Sequence, residues 1–157
     1  MTRPNLDDYF LTIAEVVKTR STCLRRAVGC VLVNDRHHIL ATGYNGVAAG
    51  QPHCNEEKML AGGRNYYHPN ACDGAHVASG TQLDACQAIH AEQNALLQCR
   101  HVYEIFTVYC TTEPCVSCTK LLLGTTARRV VFVEPYSQES HALWLASRGP
   151  DSWSRRP

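Results

Sequence analysis

Two short stretches, which only a compact fold can bring together, constrain this chain most: His90-Ala91-Glu92 and Pro114-Cys115-Val116-Ser117-Cys118. One imidazole nitrogen and two thiolates fill three of zinc's four tetrahedral positions, and the missing fourth protein ligand is what separates a catalytic zinc from a structural one. The open position takes water, whose pKa the metal lowers towards about 7. Glu92, beside the ligand, is placed to shuttle the proton. Spacing adds geometry. His90 and Glu92 stand roughly 200° apart around an ideal helix, so mid-helix they could not face one metal, and they belong in a first turn. Cys115 and Cys118 share one helix face, and Pro114 suits a helix start. Both ligand sets therefore belong at helix N-termini, whose dipoles favour thiolate and hydroxide.

His-x-Glu followed by Pro-Cys-x-x-Cys is the signature of zinc-dependent nucleobase deaminases. Either half alone is weak, because a redox or structural cysteine pair beside an unrelated His and Glu reads the same way; the paired halves are specific.

The 157 residues allow one domain with a real core and are too few for two ordinary ones. We read a single zinc-dependent domain over 1–157, with a long insertion at about 47–83. Fifteen basic against fourteen acidic residues give a formal charge of +1, which argues against a polyanion groove. No apolar run reaches membrane-spanning length. The N-terminal stretch lacks the basic-then-apolar pattern of a secretory signal. Nine cysteines, an odd number, point to a reducing, cytoplasmic setting in which they serve as ligands or core residues.

Leu6, Tyr9, Phe10, Ile13 and Val17 fall at helical spacing, which predicts an opening helix that covers a sheet. Residues 27–33 and 39–42, joined by Asn34-Asp35-Arg36, predict a hairpin. The connection before it, Arg20 to Arg26, is either a phosphate-binding loop at a strand end or a solvated basic turn. Gly43-Tyr44-Asn45-Gly46 follows, a turn that lets backbone approach a ligand closely.

From Val47 to Leu83 there is no periodicity, and a structureless loop of that length needs something to pin it. The segment and its flanks offer Cys23, His53, Cys54, His68, Cys72, His76 and Cys86. Either these are scattered core cysteines and surface histidines, or a second, structural zinc closes the loop. The zinc reading takes Cys23, Cys54 and Cys86, with His53 or His76 fourth.

Residues 84–99 predict the helix presenting His90 and Glu92, with part of the stretch preceding it. A strand at 105–110 follows, then a helix at 115–123 with Leu121 and Leu122 inward, a buried strand at 130–133 and a final helix at 138–147, with Ala142, Leu143 and Leu145 as its apolar surface. This alternation implies parallel pairing with right-handed crossovers and a metal at the carboxyl ends of the strands. The tail offers no convincing last strand, and reads as a surface tail or part of a subunit contact.

The sequence resembles the deoxycytidylate (dCMP) deaminases, particularly bacterial and virus-encoded forms. The likeness rests on Arg20-Ser21-Thr22-Cys23, Val28-Gly29, Gly43-Tyr44-Asn45-Gly46, Ile89-His90-Ala91-Glu92, Asn94-Ala95, Pro114-Cys115 with Cys118, and Tyr136. It implies a three-layer α/β/α cytidine-deaminase-like fold with a central mixed sheet. It also implies hydrolytic deamination of dCMP to dUMP and ammonia, which supplies thymidylate synthesis. By the same resemblance His90, Cys115 and Cys118 hold zinc, Glu92 is the proton shuttle, Ser21 and Arg25 (or Arg26) meet the phosphate, and Asn45 and Tyr136 meet the substrate. The resemblance further implies a homohexamer, activated by dCTP and inhibited by dTTP, each with Mg2+, at a site near Gly43, Tyr44, Asn45 and Gly46. For a virus-encoded form the setting is the host cytoplasm.

Two rivals remain. A tRNA adenosine deaminase shares both zinc motifs, but an RNA substrate calls for more positive charge. A non-catalytic, zinc-stabilised regulatory subunit is the other, and the intact Glu92 speaks against it.

Overall fold

The computed structural model describes residues 2–56, 58–59, 67–68, 72, 74–75, 77–78, 80–82 and 85–157. Asn5 caps the first helix, α1 (Leu6–Lys18), with its side chain accepting from the Asp8 backbone N–H at 2.9 Å. Asp7 and Asp8 occupy the positive end of α1 and Lys18 the negative end, as the dipole favours. Phe10, Leu11 and Ala14 form its buried face. Beneath it runs β1 (Gly29–Val33), which meets β2 (Ile39–Tyr44) in the expected hairpin. Gly29 makes this close passage feasible, because a Cβ there would sit 2.1 Å from the Ala14 carbonyl oxygen.

The insertion contains a separate two-stranded pair, β3 (Lys58–Met59) with β4 (Tyr67–His68). After it come α2 (Ala91–Gln98), β5 (Thr107–Thr112), α3 (Val116–Leu123), β6 (Arg129–Glu134), α4 (Gln138–Arg148) and β7 (Trp153–Arg155). The main sheet has the order β2-β1-β5-β6-β7. Strand β1 is antiparallel to both neighbours, whereas β5, β6 and β7 run parallel. It is the mixed sheet that the sequence implied.

Side-chain alternation along the strands divides the core in two. Val31, Val33, Tyr109 and Val131 pack with Phe10, Leu11 and Ala14 of α1. The other face carries Cys30, Leu32, Val108, Cys110, Val130 and Phe132, packed with Ala91 and Ala95 of α2, Leu122 of α3 and Trp144 of α4. Three layers result: α1, the sheet, and the remaining helices. The helices α2 and α3, which carry the candidate ligands, pack on this second face.

Three expectations need correction. The tail does form a last strand: β7 pairs with β6, and the Arg156 N–H donates to the Phe132 carbonyl at 2.7 Å. Three residues show no readable periodicity; Trp153, 8% exposed, holds the strand down. Leu121 faces out at 48% exposure, and Leu122 alone of that pair is buried, since neighbouring helix positions stand about 100° apart. In α4 the anchor is Trp144, fully buried, with Leu145 packed beside the core, whereas Ala142 is exposed.

One polar cluster ties the chain's two ends together. Arg129 grips the Asp7 carboxylate with both nitrogens, at 2.7 and 2.6 Å, the Tyr109 hydroxyl donates to it at 3.0 Å, and Arg156 also donates to it. The Arg129 guanidinium, aided by Arg156, holds Asp7 well below the usual carboxylate range against the effect of its burial. Because the folded value lies below the unfolded one, this contribution is present above the unfolded value and is lost as pH falls towards the folded value. Asp7→Asn is expected to lose about 2–4 kcal/mol at pH 7, since it strands two arginines. The gap to wild type should narrow below about pH 4, and urea unfolding at pH 7 and pH 3 measures it. A gap that does not depend on pH would show that packing, not charge, carries the effect.

Candidate active site

Two helix N-termini converge at the carboxyl end of β5. His90 is the N-cap of α2, and its backbone N–H donates to Gln93 Oε1 at 3.1 Å. Cys115 is the N-cap of α3, and its sulfur accepts from the Cys118 N–H at 3.5 Å. His90 Nδ1 lies 3.5 Å from Cys115 Sγ and 3.4 Å from Cys118 Sγ. Zn–N and Zn–S bonds of about 2.0–2.3 Å at a tetrahedral angle put N and S donors about 3.6 Å apart, so the donor set fits zinc. Among the described residues this is the one group whose ligand atoms all lie within 4.8 Å of one another. Shared hydrogen bonding with Cys118 and His90 lowers the Cys115 thiol to about 4 and, in return, raises Cys118 and His90. Of the two sulfurs, Cys115 is the one its surroundings favour as thiolate.

Glu92 sits in the first turn of α2 and is 4% exposed. Burial pushes its carboxyl up to about 7. It lies close enough to His90, Cys115 and Cys118 to feel their charge and hydrogen bonding, without being one of the three donors. A buried acid in that range suits proton transfer near neutrality.

The metal site forms the floor of an open cleft of about 620 Å³, mouth included, whose walls include Arg25, Arg26, Val28, Asn45, Glu113 and Tyr136. Arg25 donates through Nη2 to the Ala78 and Thr81 carbonyls at 2.6 and 2.8 Å. Its Nη1 is buried with no partner among the described residues. Arg26 stacks over the Tyr136 ring at 5.4 Å and lies 3.8 Å from Glu134. Both arginines thus reach the cleft.

Asn45 is the hub of the loop that carries them. Its Oδ1 accepts from the Val28 N–H at 2.8 Å and its Nδ2 donates to the Arg26 carbonyl at 2.6 Å. Ser21 Oγ donates to Asn45, with Oδ1 at 2.8 Å and the backbone carbonyl at 2.9 Å, and it is not among the residues lining the cleft. The close approach made by Gly43 is to α2: a Cβ would lie 2.2 Å from the Ala91 carbonyl oxygen. Asn94 of α2 donates to the Tyr44 carbonyl at 2.9 Å, and Gly46 pairs with Ile89. The turn is therefore bonded to the residue that precedes His90.

A second group of thiols adjoins the cleft. Cys72 is within hydrogen-bonding reach of both Cys54 and Cys86, and Cys23 acts on Cys54 and Cys86 through space. Cys23 and Cys86 also line the cleft. Burial, then Cys72, pushes Cys54 up to about 12. Burial would raise Cys72 as well, but the Gln87 and Gly74 backbone N–H groups, with the thiols of Cys54 and Cys86, bring it down. No three of these sulfurs meet the 4.8 Å spacing of the first site. His53 is exposed, with its Nδ1 3.3 Å from Thr22 Oγ1. His76 and the His68 side chain lie outside the described residues.

Sequence reasoning missed two contributors, Gly80 and Glu113, and left a third unranked. Cys72 was one candidate among many and gained its place only through folding. Gly80 has φ +85°, and a Cβ there would lie 2.9 Å from the Tyr136 hydroxyl. Glu113, buried beside Pro114, had one signal, its adjacency to the ligand motif.

A buried carboxyl beside a His-Cys-Cys donor set, on two helix N-termini in a three-layer α/β/α fold, defines a zinc-dependent hydrolase centre. The profile described as the cytidine and deoxycytidylate deaminase zinc-binding region matches residues 4–134. The deoxycytidylate deaminase of Mycobacterium phage D29 is 40% identical over 134 residues, covering 84% of this chain and 97% of that protein. The deoxycytidylate deaminase of Schizosaccharomyces pombe is 38% identical over 147 residues, covering 91% of this chain; the chain spans 41% of that longer relative. The crystal structure of cyanophage S-TIM5 dCMP deaminase in complex with dCMP and dUMP superposes with a TM-score of 0.67 at 24% identity, covering 99% of this chain and 100% of that one; the likeness is one of fold. The chain belongs to the cytidine and deoxycytidylate deaminase family.

Proposed function

We propose that the chain deaminates dCMP hydrolytically to dUMP and ammonia. The carrying observation is the buried Glu92 carboxyl placed against His90, Cys115 and Cys118 at the floor of a cleft with arginines on its wall. Zinc, when bound by those three residues, acts as a Lewis acid that makes water nucleophilic near neutral pH. Glu92 takes a proton from the attacking water and delivers it to N3 of the cytosine. It then moves a second proton to the departing amine, which leaves as ammonia. Tyr136 and Asn45 border the nucleotide, Asn45 chiefly by holding the Arg25-Arg26 loop in place. Arg25, whose Nη1 has no partner among the described residues, is the phosphate partner; Ser21 supports Asn45.

The enzyme would act as a cytoplasmic homohexamer that supplies dUMP for thymidylate synthesis. We place dCTP activation and dTTP inhibition, each with Mg2+, at the Gly43-Tyr44-Asn45-Gly46 turn. The bonds from that turn to Ile89 and α2 support this reading, since occupancy there would bear on His90. A structural zinc held by Cys23, Cys54, Cys86 and, in place of His53, Cys72 completes the reading. What supports the exchange is the thiol contact through Cys72, with N–H groups directed at its sulfur, an arrangement that stabilises thiolates.

The test is ammonia release from dCMP, deoxycytidine and a tRNA substrate in parallel, with and without the effectors. Turnover confined to dCMP supports the proposal, and turnover on tRNA alone replaces it with the adenosine deaminase reading. Arg25→Ala is expected to lower kcat/KM for dCMP by about 10–100-fold, the size of a lost charge-assisted contact. For deoxycytidine the change should stay within about threefold. Equal losses on both substrates would remove Arg25 from the phosphate site.

A further inference from the structure

Glu113 is 7% exposed and belongs to none of the roles above. Its Oε2 accepts from the backbone N–H groups of Tyr136 at 2.6 Å and Ser137 at 2.9 Å, and its Oε1 accepts from Trp153 Nε1 at 2.9 Å. Its own backbone N–H donates to the Glu134 carbonyl at 2.8 Å. All three side-chain contacts are donors to Glu113, so both of its oxygens serve as acceptors. Burying such a group is unfavourable unless its oxygens are satisfied. Here they are satisfied by the two N–H groups of the segment that carries Tyr136 and by one indole.

Residue 113 stands two positions before the ligand Cys115, so the clamp joins the segment that carries this ligand to the part of the cleft wall that carries Tyr136. Gly80 and Arg26 confine the Tyr136 ring on two sides. Glu113 fixes the backbone beneath it. We infer that Glu113 is a positioning residue that sets the distance between Tyr136 and the metal ligands, with the C-terminal strand β7, through Trp153, completing the clamp. This inference rests on the reading of Tyr136 as a substrate-bordering residue.

Two comparisons test it in the zinc-loaded full chain. The first sets Glu113→Ala, Tyr136→Ala and their combination side by side on dCMP. Each single change should raise KM by about tenfold with a smaller fall in kcat, and the pair should be no worse than Tyr136→Ala, because contacting residues that act as one unit are not additive. Losses that multiply in the pair would overturn the coupling.

The second comparison reads the hydrogen-bond pattern. Glu113→Gln can keep one oxygen on the Tyr136 and Ser137 N–H groups but then sets its NH2 against the Trp153 indole N–H, a donor facing a donor. Adding Trp153→Phe removes that conflict, so E113Q/W153F should recover KM to within about threefold of W153F alone. A purely space-filling Glu113 gives no such recovery, and its absence would overturn the inference. If Tyr136→Ala leaves KM unchanged, the Tyr136 reading fails by itself, and recovery in the second comparison still decides the clamp.

Discussion

Glu92→Gln is expected to leave the zinc content unchanged and to lower turnover of dCMP by about 10²–10⁴-fold, the range that general acid–base groups supply. The substitution isolates chemistry from structure. Glu92 is not one of the three donors, and glutamine has nearly its shape, so His90, Cys115 and Cys118 keep their places. An amide cannot take up a proton from water and pass it on. The same change should not destabilise the fold. Glu92 is 4% exposed and its carboxyl is raised by burial, which means that the protein works against desolvation to keep an acid there. Replacing it with a neutral group relieves that penalty, and melting temperature should hold or rise by about 2–4 °C. Zinc analysis, thermal melts and steady-state rates on one preparation provide the check. Near-normal turnover would remove Glu92 from the mechanism, whereas lost zinc together with lost turnover would recast it as part of the metal's support.

The metal site and the layer order were legible in the sequence because each rests on local rules. A His and a Glu two apart can face one ion only at a helix start, and the structure puts His90 at the cap of α2 and Cys115 at the cap of α3. Alternation of strands and helices carried the parallel half of the sheet, and the Asn34-Asp35-Arg36 turn carried the hairpin. What escaped reading was set by contacts between residues far apart in sequence. Three residues of β7 have no period of their own, and they become a strand because Trp153 docks on Phe132 and Trp144 and donates to Glu113. Gly43 looked like a ligand-approach glycine, and the close approach it makes is to Ala91 and Ala95 of α2. Composition could not tell Cys72 from the other cysteines, nor Arg25 from Arg26. Folding chooses their partners from other parts of the chain, as with the Ala78 and Thr81 carbonyls, 53 and 56 residues on, that take Arg25.

Metal counting in ligand variants should give the second large effect. Purified wild type is expected to carry two zincs per chain, Cys115→Ser one with activity abolished, and Cys54→Ser or Cys72→Ser also one, with a fall in melting temperature of well over about 10 °C. The asymmetry follows from what each site does. At the first, α2 and α3 are seated on the sheet by Ala91, Ala95 and Leu122, so losing the ion leaves the core intact. At the proposed second, a zinc would draw together residues 23, 54, 72 and 86, with few apolar partners in the insertion. Between residues 47 and 86 only Cys54 and Cys72 appear among the buried apolar residues described. Closing such a long loop is entropically unfavourable, and structural zinc can contribute on the order of 10 kcal/mol to that closure. Since Cys23 and Cys86 also line the cleft, the loss of the second ion should raise KM for dCMP even where the first is retained. One zinc per chain in wild type, absent from Cys115→Ser, would rule out the second centre and leave the four cysteines as core residues. Two zincs with Cys72→Ser still binding both would return the fourth position to a histidine.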